Sequence, residues 1–167
     1  MPLGAEGEFA LVTQHLQRAL ERPLFAPKYA SAPVADHNVY ALLADTAAQQ
    51  RDLAALERYV PLAEELANHH DHSLHQAIAH RAWGVAHRLK GDTHLAEKRL
   101  GQALDLFEQM GAVWQIGRTH REMAELFSAT QDTARARDHY QQAQKHFEQL
   151  GAVAEIGRLR EALGHLA

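Results

Sequence analysis

Thirteen histidines in a chain of 167 residues are its most unusual chemical resource. Four of them stand together in the stretch NHHDHSLH, as His69, His70, His72 and His75 around Asp71. Imidazoles on a turn, joined by one from the first turn of the next helix, are a possible transition-metal ligand set. The rigid HExxH spacing is missing, however, and the stretch falls between two predicted helices, so a solvated turn is the expected reading. His80 and His120 have the right chemistry for proton transfer. Both are read as partly buried packing residues rather than bases. No GxxxxGK[ST] phosphate loop, GxSxG elbow or GxGxxG fingerprint is present. Gly111 and Gly117 belong to a turn and a helix start, and Glu64-Glu65 lies on a predicted helix surface with nothing to separate the two pKa values. The absence of cysteine excludes disulfides, thiol catalysis and cysteine-ligated metals, and suits a reducing compartment. The chain is therefore read as no enzyme, with no cofactor and no metal.

Composition narrows the remaining classes. A formal charge of -4 and a pI near 6.3 give no reason to expect a nucleic-acid partner. No apolar run approaches a membrane span, and the N-terminal residues Met1 to Glu8 have neither a basic nor an apolar leader region; a cytoplasmic location is expected. Hydrophobic residues make up 46% of the chain and aromatics only 7%, so helices packed closely on alanine and leucine are favoured over a β-sandwich. Protonating every histidine would add thirteen positive charges to a formal -4, so stability is expected to be weaker at pH 5 than at pH 7.

The elements that would position any functional residue are legible from an internal repeat. Phe107 to Met123 reads FEQMGAVWQIGRTHREM, and forty residues later Phe147 to Leu163 reads FEQLGAVAEIGRLREAL. Repetition at this period signals stacked supersecondary units. Amphipathic helices are predicted at 7–22, 37–49, 52–68, 74–89, 92–110, 113–129, 132–150 and 153–165. The first has Phe9, Val12, Leu16, Ala19 and Leu20 on one face. Pro23, Pro27 and Pro33 predict a loop over 23–36, pinned by Phe25 and Tyr29, and Pro61 is expected to kink its helix or split it at Val60. Asp52, Asp92 and Asp132 recur at the repeat spacing as N-caps, and Gly91 is a left-handed C-cap. Trp83, Trp114, Phe107, Phe127, Tyr140 and Phe147 recur at helical spacing and are read as core.

These helical pairs resemble the tetratricopeptide repeat (TPR) family. The best copy is His80, Trp83-Gly84 and His87, then Gly91-Asp92, Ala96, Leu100 and Ala103. The next is His120, Met123-Ala124 and Phe127, then Asp132, Ala136, Tyr140 and Ala143, and the weakest is Tyr40, Leu43-Ala44 and Ala47, then Asp52, Leu56, Val60 and Ala63. Ala or Gly at the crossing lets two helices approach closely. The period of 40 exceeds the family's usual 34, as in the extended units of bacterial signalling ATPases, transcription activators and cyclases, and the consensus proline between units is absent. Period alone would suit HEAT or armadillo units equally; the Gly-Asp…Ala…Leu…Ala spacing favours TPR. The resemblance implies an all-α fold, a right-handed α-α superhelix of antiparallel helix pairs. It forms one repeat domain over 1–167: an orphan second helix at 7–22, the loop 23–36, repeats at 37–68, 73–110 and 113–150, and a half repeat at 153–167. Starting and stopping mid-repeat, the chain is expected to be a segment of a longer array.

In TPR arrays the first helices line a concave groove. The matching positions here are Asn38, Ala41 and Asp45; Ile78, Arg81, Val85 and Arg88; Arg118, Arg121, Glu125 and Ser128; and Arg158 and Glu161. The resemblance thus places Arg81, Arg88, Arg118, Arg121 and Arg158 as candidate partner-binding residues. A guanidinium fork binds carboxylates bidentately, which suits an acidic peptide or chain terminus. The Lys and Asn of carboxylate-clamp repeats are not matched. The competing reading is a solvated face on which these arginines pair with Glu122, Glu125 and Glu161. The expected function is a non-catalytic protein–protein interaction module within a larger bacterial regulatory protein. Small-ligand or metal sensing, and homotypic assembly through the terminal half repeats, are the alternatives.

Overall fold

A left-handed residue recurs every twenty positions and sets the spacing of everything else. Arg51, Asp71, Gly91, Gly111, Gln131 and Gly151 all have positive φ, between 49° and 80°. In each turn the following N–H bonds to the carbonyl five residues earlier: Asp52 to Ala47, His72 to Ala67, Asp92 to His87, Ala112 to Phe107, Asp132 to Phe127 and Ala152 to Phe147, all at 2.9–3.0 Å. This is the Schellman closure, which satisfies carbonyls that the helix end leaves without a donor. The computed structural model describes residues 5–21 and 34–166, and all its elements are helices: α1 (Ala5–Glu21), α2 (Val34–Gln50), α3 (Leu53–His69), α4 (Ser73–Leu89), α5 (Thr93–Gln109), α6 (Val113–Ala129), α7 (Thr133–Gln149) and α8 (Val153–His165). Each predicted helix is present, with ends displaced by three residues at most.

The next helix starts where a carboxylate caps it. Asp52, Asp92 and Asp132 accept from the N–H of Ala55, Leu95 and Arg135 at 3.0, 3.2 and 3.1 Å, as their spacing predicted. Before α6 and α8 the cap position is Ala112 or Ala152, with no side-chain bond. Pro61 does not split α3, which runs unbroken from Leu53 to His69. Pro61 is exposed while Val60 and Ala63 are fully buried. The carbonyl that loses its donor therefore lies on the solvent side, where water can satisfy it. Of the predicted loop 23–36, residues 34–36 begin α2, and the remainder, with Phe25 and Tyr29, lies outside the described residues.

The chain divides into two compact units, residues 1–82 and 83–167, with the boundary inside α4. In the first, α2 packs on α1 and α3, and its core is Leu43, Ala44, Ala47, Leu56, Val60, Ala63 and Ala67. On α1 the predicted apolar face is only partly used: Phe9 and Leu16 are half-buried, Val12 is exposed, and the side chains of Ala19 and Leu20 lie outside the described residues. In the second, α6 lies between α5 and α7, and α8 packs on α7. Phe127, Met123 and Leu126 join Ala96, Leu100 and Ala136 in one cluster, and Tyr140, Ala143, Phe147 and Leu159 close around Ala124 in another. Positions 56, 96 and 136, 63, 103 and 143, and 67, 107 and 147 are all fully buried, so the repeat register holds along the chain. Phe107 and Phe147 are 0% exposed, each burial contributing about 2–3 kcal/mol. Gly84 stands where a Cβ would meet the Leu100 side chain at 2.5 Å, the close approach expected at the crossing. Trp114 departs from its predicted core role. It sits in the first turn of α6, 42% exposed, with only its edge against Phe147 at 5.1 Å.

Candidate functional site

The five candidate arginines all lie on first helices of the pairs, and the structure gives them two different environments. Arg81, on α4, is 2% exposed and its Nη2 lies 2.8 Å from Asp45 Oδ1 on α2. Arg88 contacts Glu122 at 3.2 Å and Glu125 at 2.9 Å on α6. Arg121 reaches Glu155 on α8 at 2.8 Å and Glu122 at 3.6 Å. In all three cases a guanidinium on one first helix binds a carboxylate on the neighbouring first helix, so these arginines stitch successive repeats together. Arg118 and Arg158 stand apart. Arg118 is half-buried and donates weakly to Gln115 at 3.4 Å, whereas Arg158 is 63% exposed and contacts Glu155 at 2.6 Å.

Sequence reading named Glu122 and Glu125 as partners on a solvated face, but Glu122 is buried, at 4% exposure. It missed Asp45 and Glu155, and Glu161 is exposed. Asp45 carried a usable signal, because it occupies a groove-facing position one first helix before Arg81. Two other expected groove positions, Ala41 and Val85, are 1% and 0% exposed and belong to the core. Small aliphatic residues there fill the space between packed helices. Below Ser128, burial pushes the Tyr140 phenol up, against a hydrogen bond with Ser128 that pulls it down.

On the second unit the indole of Trp114 and the guanidinium of Arg158 are exposed and Arg118 is half-buried. Trp114 and Arg118 share one face of α6, four residues apart. Sequence reading assigned Trp114 to the core because its helical spacing matches Phe107 and Phe127; its place in a first turn, one residue past the helix start, was the signal against it.

The histidine stretch is a turn, as expected, although not a wholly solvated one. His72 Nδ1 accepts from the His75 N–H at 3.4 Å at the start of α4, its ring stacks on His75 at 3.9 Å, and His75 is buried. Among the described residues, no group of three or more His, Cys, Asp or Glu is placed to hold a metal ion. His80 is half-buried with Nδ1 4.0 Å from Glu64 Oε1, and His120 is buried. A cleft of the first unit lined by Thr13, Gln17, Leu43 and Tyr59 is spanned by a hydrogen bond from Gln17 to the Tyr59 hydroxyl at 2.8 Å. Among the described residues, no helix is long and apolar enough to cross a membrane.

The family model for the soluble NSF attachment protein, SNAP, matches residues 49–166, from the end of α2 through α8. No curated protein matches the chain.

Proposed function

The chain belongs to the soluble NSF attachment protein family, a TPR-like helical repeat family whose domains mediate protein–protein interaction, and from that premise we propose that its second unit is a non-catalytic docking face. A protein or peptide partner is held by Trp114, Arg118 and Arg158. The observation that carries this reading is the exposure of Trp114 beside Arg118 on α6, since tryptophan and arginine are the side chains that most often anchor interfaces. Arg118 and Arg158 favour a carboxylate-bearing partner. Arg81, Arg88 and Arg121 take a supporting role, holding the first helices in register; a ligand carboxylate would reach Arg81 only by displacing Asp45.

The test compares capture by immobilised wild type with capture by Trp114→Ala/Arg118→Glu/Arg158→Glu, a variant that replaces none of the residues of the inter-helix ion pairs. It is first shown to melt like wild type. A discrete partner bound at least about tenfold more weakly by the variant supports the reading, as expected for losing an interface anchor. The same partner bound with unchanged Kd places docking elsewhere. A second reading, homotypic assembly, rests on the exposed apolar residues Val153, at 79%, and Leu150, at 48%. A mass that rises with concentration, and falls back in Leu150→Lys/Val153→Lys, would favour it.

A further inference from the structure

Three histidines meet between α6 and α7: His139 and His146, seven residues apart on one face of α7, and His120 on α6. His120, buried at 8% exposure, has its Nδ1 2.9 Å from the Nδ1 of His139. The ring of His146 stacks on His120 with centroids 5.8 Å apart and planes at 11°. His146 Nδ1 is buried without a hydrogen-bond partner among the described residues. His139 also lies against Phe127, at 5.3 Å and 21°. Two imidazole nitrogens at this separation share one proton, with one ring donating and the other accepting. The accepting ring must be neutral. A second proton turns the bond into two N–H groups facing one another beside an aromatic wall, with little water to solvate them.

We propose that His120, His139 and His146 form an acid-operated latch between α6 and α7, closed while at least one of the paired rings is neutral and opened when both are protonated. The charges that face the rings are Asp138 and Arg135 on α7 and Glu97 on α5. Asp138 and Glu97 favour protonation, and Arg135 opposes it. Burial outweighs them. It holds His120 down at about 4, helped by His139 and His146 and opposed by Asp138, and it also lowers His139. A histidine depressed in the folded state takes up protons more readily once the helices part. The latch is therefore at full strength above the ordinary histidine value near 6.5 and weakens as pH falls from there toward 4.

The test is thermal melting of the full chain at pH 7.5 and pH 5, followed by tryptophan fluorescence. Both tryptophans, Trp83 and Trp114, lie in the unit that holds the latch. The fall in Tm between the two pH values is expected to be larger in wild type than in His120→Leu by about 4 °C or more. The exposed control His94→Gln should follow wild type. His139→Gln keeps a neutral partner for His120 and should hold its Tm at pH 7.5 while losing less than wild type at pH 5; it carries the test should His120→Leu not fold. An NMR titration of the His120 ring in the folded chain should place it well below 6.5. A parallel fall in wild type and both latch variants, or a His120 ring titrating at its ordinary value, overturns the proposal.

Discussion

The helix pairs α2–α3 and α6–α7 share one backbone plan and differ in what lines it. The first carries Tyr40, Tyr59 and Leu66; eighty positions on, two repeat periods, stand His120, His139 and His146. Tyr59 is buried and its hydroxyl accepts from Gln17. Burial lowers His120 and His139 from the ordinary histidine value. The repeat thus prescribes volume and burial at these positions and leaves ionisation open. The ion pairs differ as well. In the first unit the guanidinium of Arg81, 2% exposed, lies 2.8 Å from Asp45, whereas in the second Arg88 and Arg121 share Glu122, Glu125 and Glu155.

The largest expected effect comes from the first unit. Asp45→Ala removes the carboxylate 2.8 Å from the buried Arg81, and removing one partner of a buried ion pair costs about 3 kcal/mol. Glu155→Ala should cost roughly 1 kcal/mol or less, because Arg121 keeps Glu122 and Glu125. Denaturant melts of the two variants check the contrast, and equal losses would erase it. Asp45→Leu/Arg81→Met should recover most of the stability that Asp45→Ala loses, since two apolar groups of similar size leave no charge to strand.

Acid should separate the two linings next. With His120 depressed from 6.5 to about 4, lowering the pH from 7.5 to 5 should remove about 2 kcal/mol from the second unit. Hydrogen exchange at the two pH values is expected to show protection falling in α6 and α7 more than in α2 and α3. Exchanging the linings sharpens the test: His139→Tyr, which copies Tyr59, should bring the acid response of α6–α7 toward that of α2–α3.

The crossing residue gives a smaller contrast. Ala44 and Ala124 sit fully buried at the crossings of the first and third pairs, but the second pair has Gly84, where an added Cβ meets Leu100 Cγ at 2.5 Å. Gly84→Ala should cost about 1–2 kcal/mol through overpacking, despite the better helix propensity of alanine. Gly84→Ala/Leu100→Val should recover part of that loss, read from the same melts.

Much of this was legible in the sequence, for reasons that differ by residue. Helix ends were readable because Asp52, Asp92, Asp132 and Gly91 act through local backbone geometry. The cores of α5 and α7 were readable because Ala96, Leu100 and Ala103 recur as Ala136, Tyr140 and Ala143. Contacts between helices were not. His120 meets His139, and Arg81 meets Asp45, only after packing sets which turns face each other. Counting histidines led to an expectation of diffuse repulsion in acid, and could not show that His120, His139 and His146 come together at one interface. Trp114 was misread because side-chain type was weighed without the helix face it occupies. Of the five arginines, spacing placed all on first helices, but which were covered by carboxylates depended on the neighbouring repeat.

The turns hold the last contrast. Six left-handed positions recur at the same spacing, three filled by glycine and three by Arg51, Asp71 and Gln131. A side chain at positive φ brings Cβ against the backbone at a cost of roughly 1–2 kcal/mol, so the sites without glycine carry strain that Gly91, Gly111 and Gly151 avoid. Gln131 is exposed, so replacing it changes little besides that strain. Gln131→Gly should therefore stabilise the chain by about 0.5–1 kcal/mol, after the extra freedom of glycine in the unfolded chain is subtracted. Gly111→Ala, at the equivalent place one turn earlier, should destabilise by about 1 kcal/mol. If denaturant midpoints move the same way in both variants, the left-handed geometry is not what governs these turns, and their uniform spacing would have to come from the packing of the helices they join.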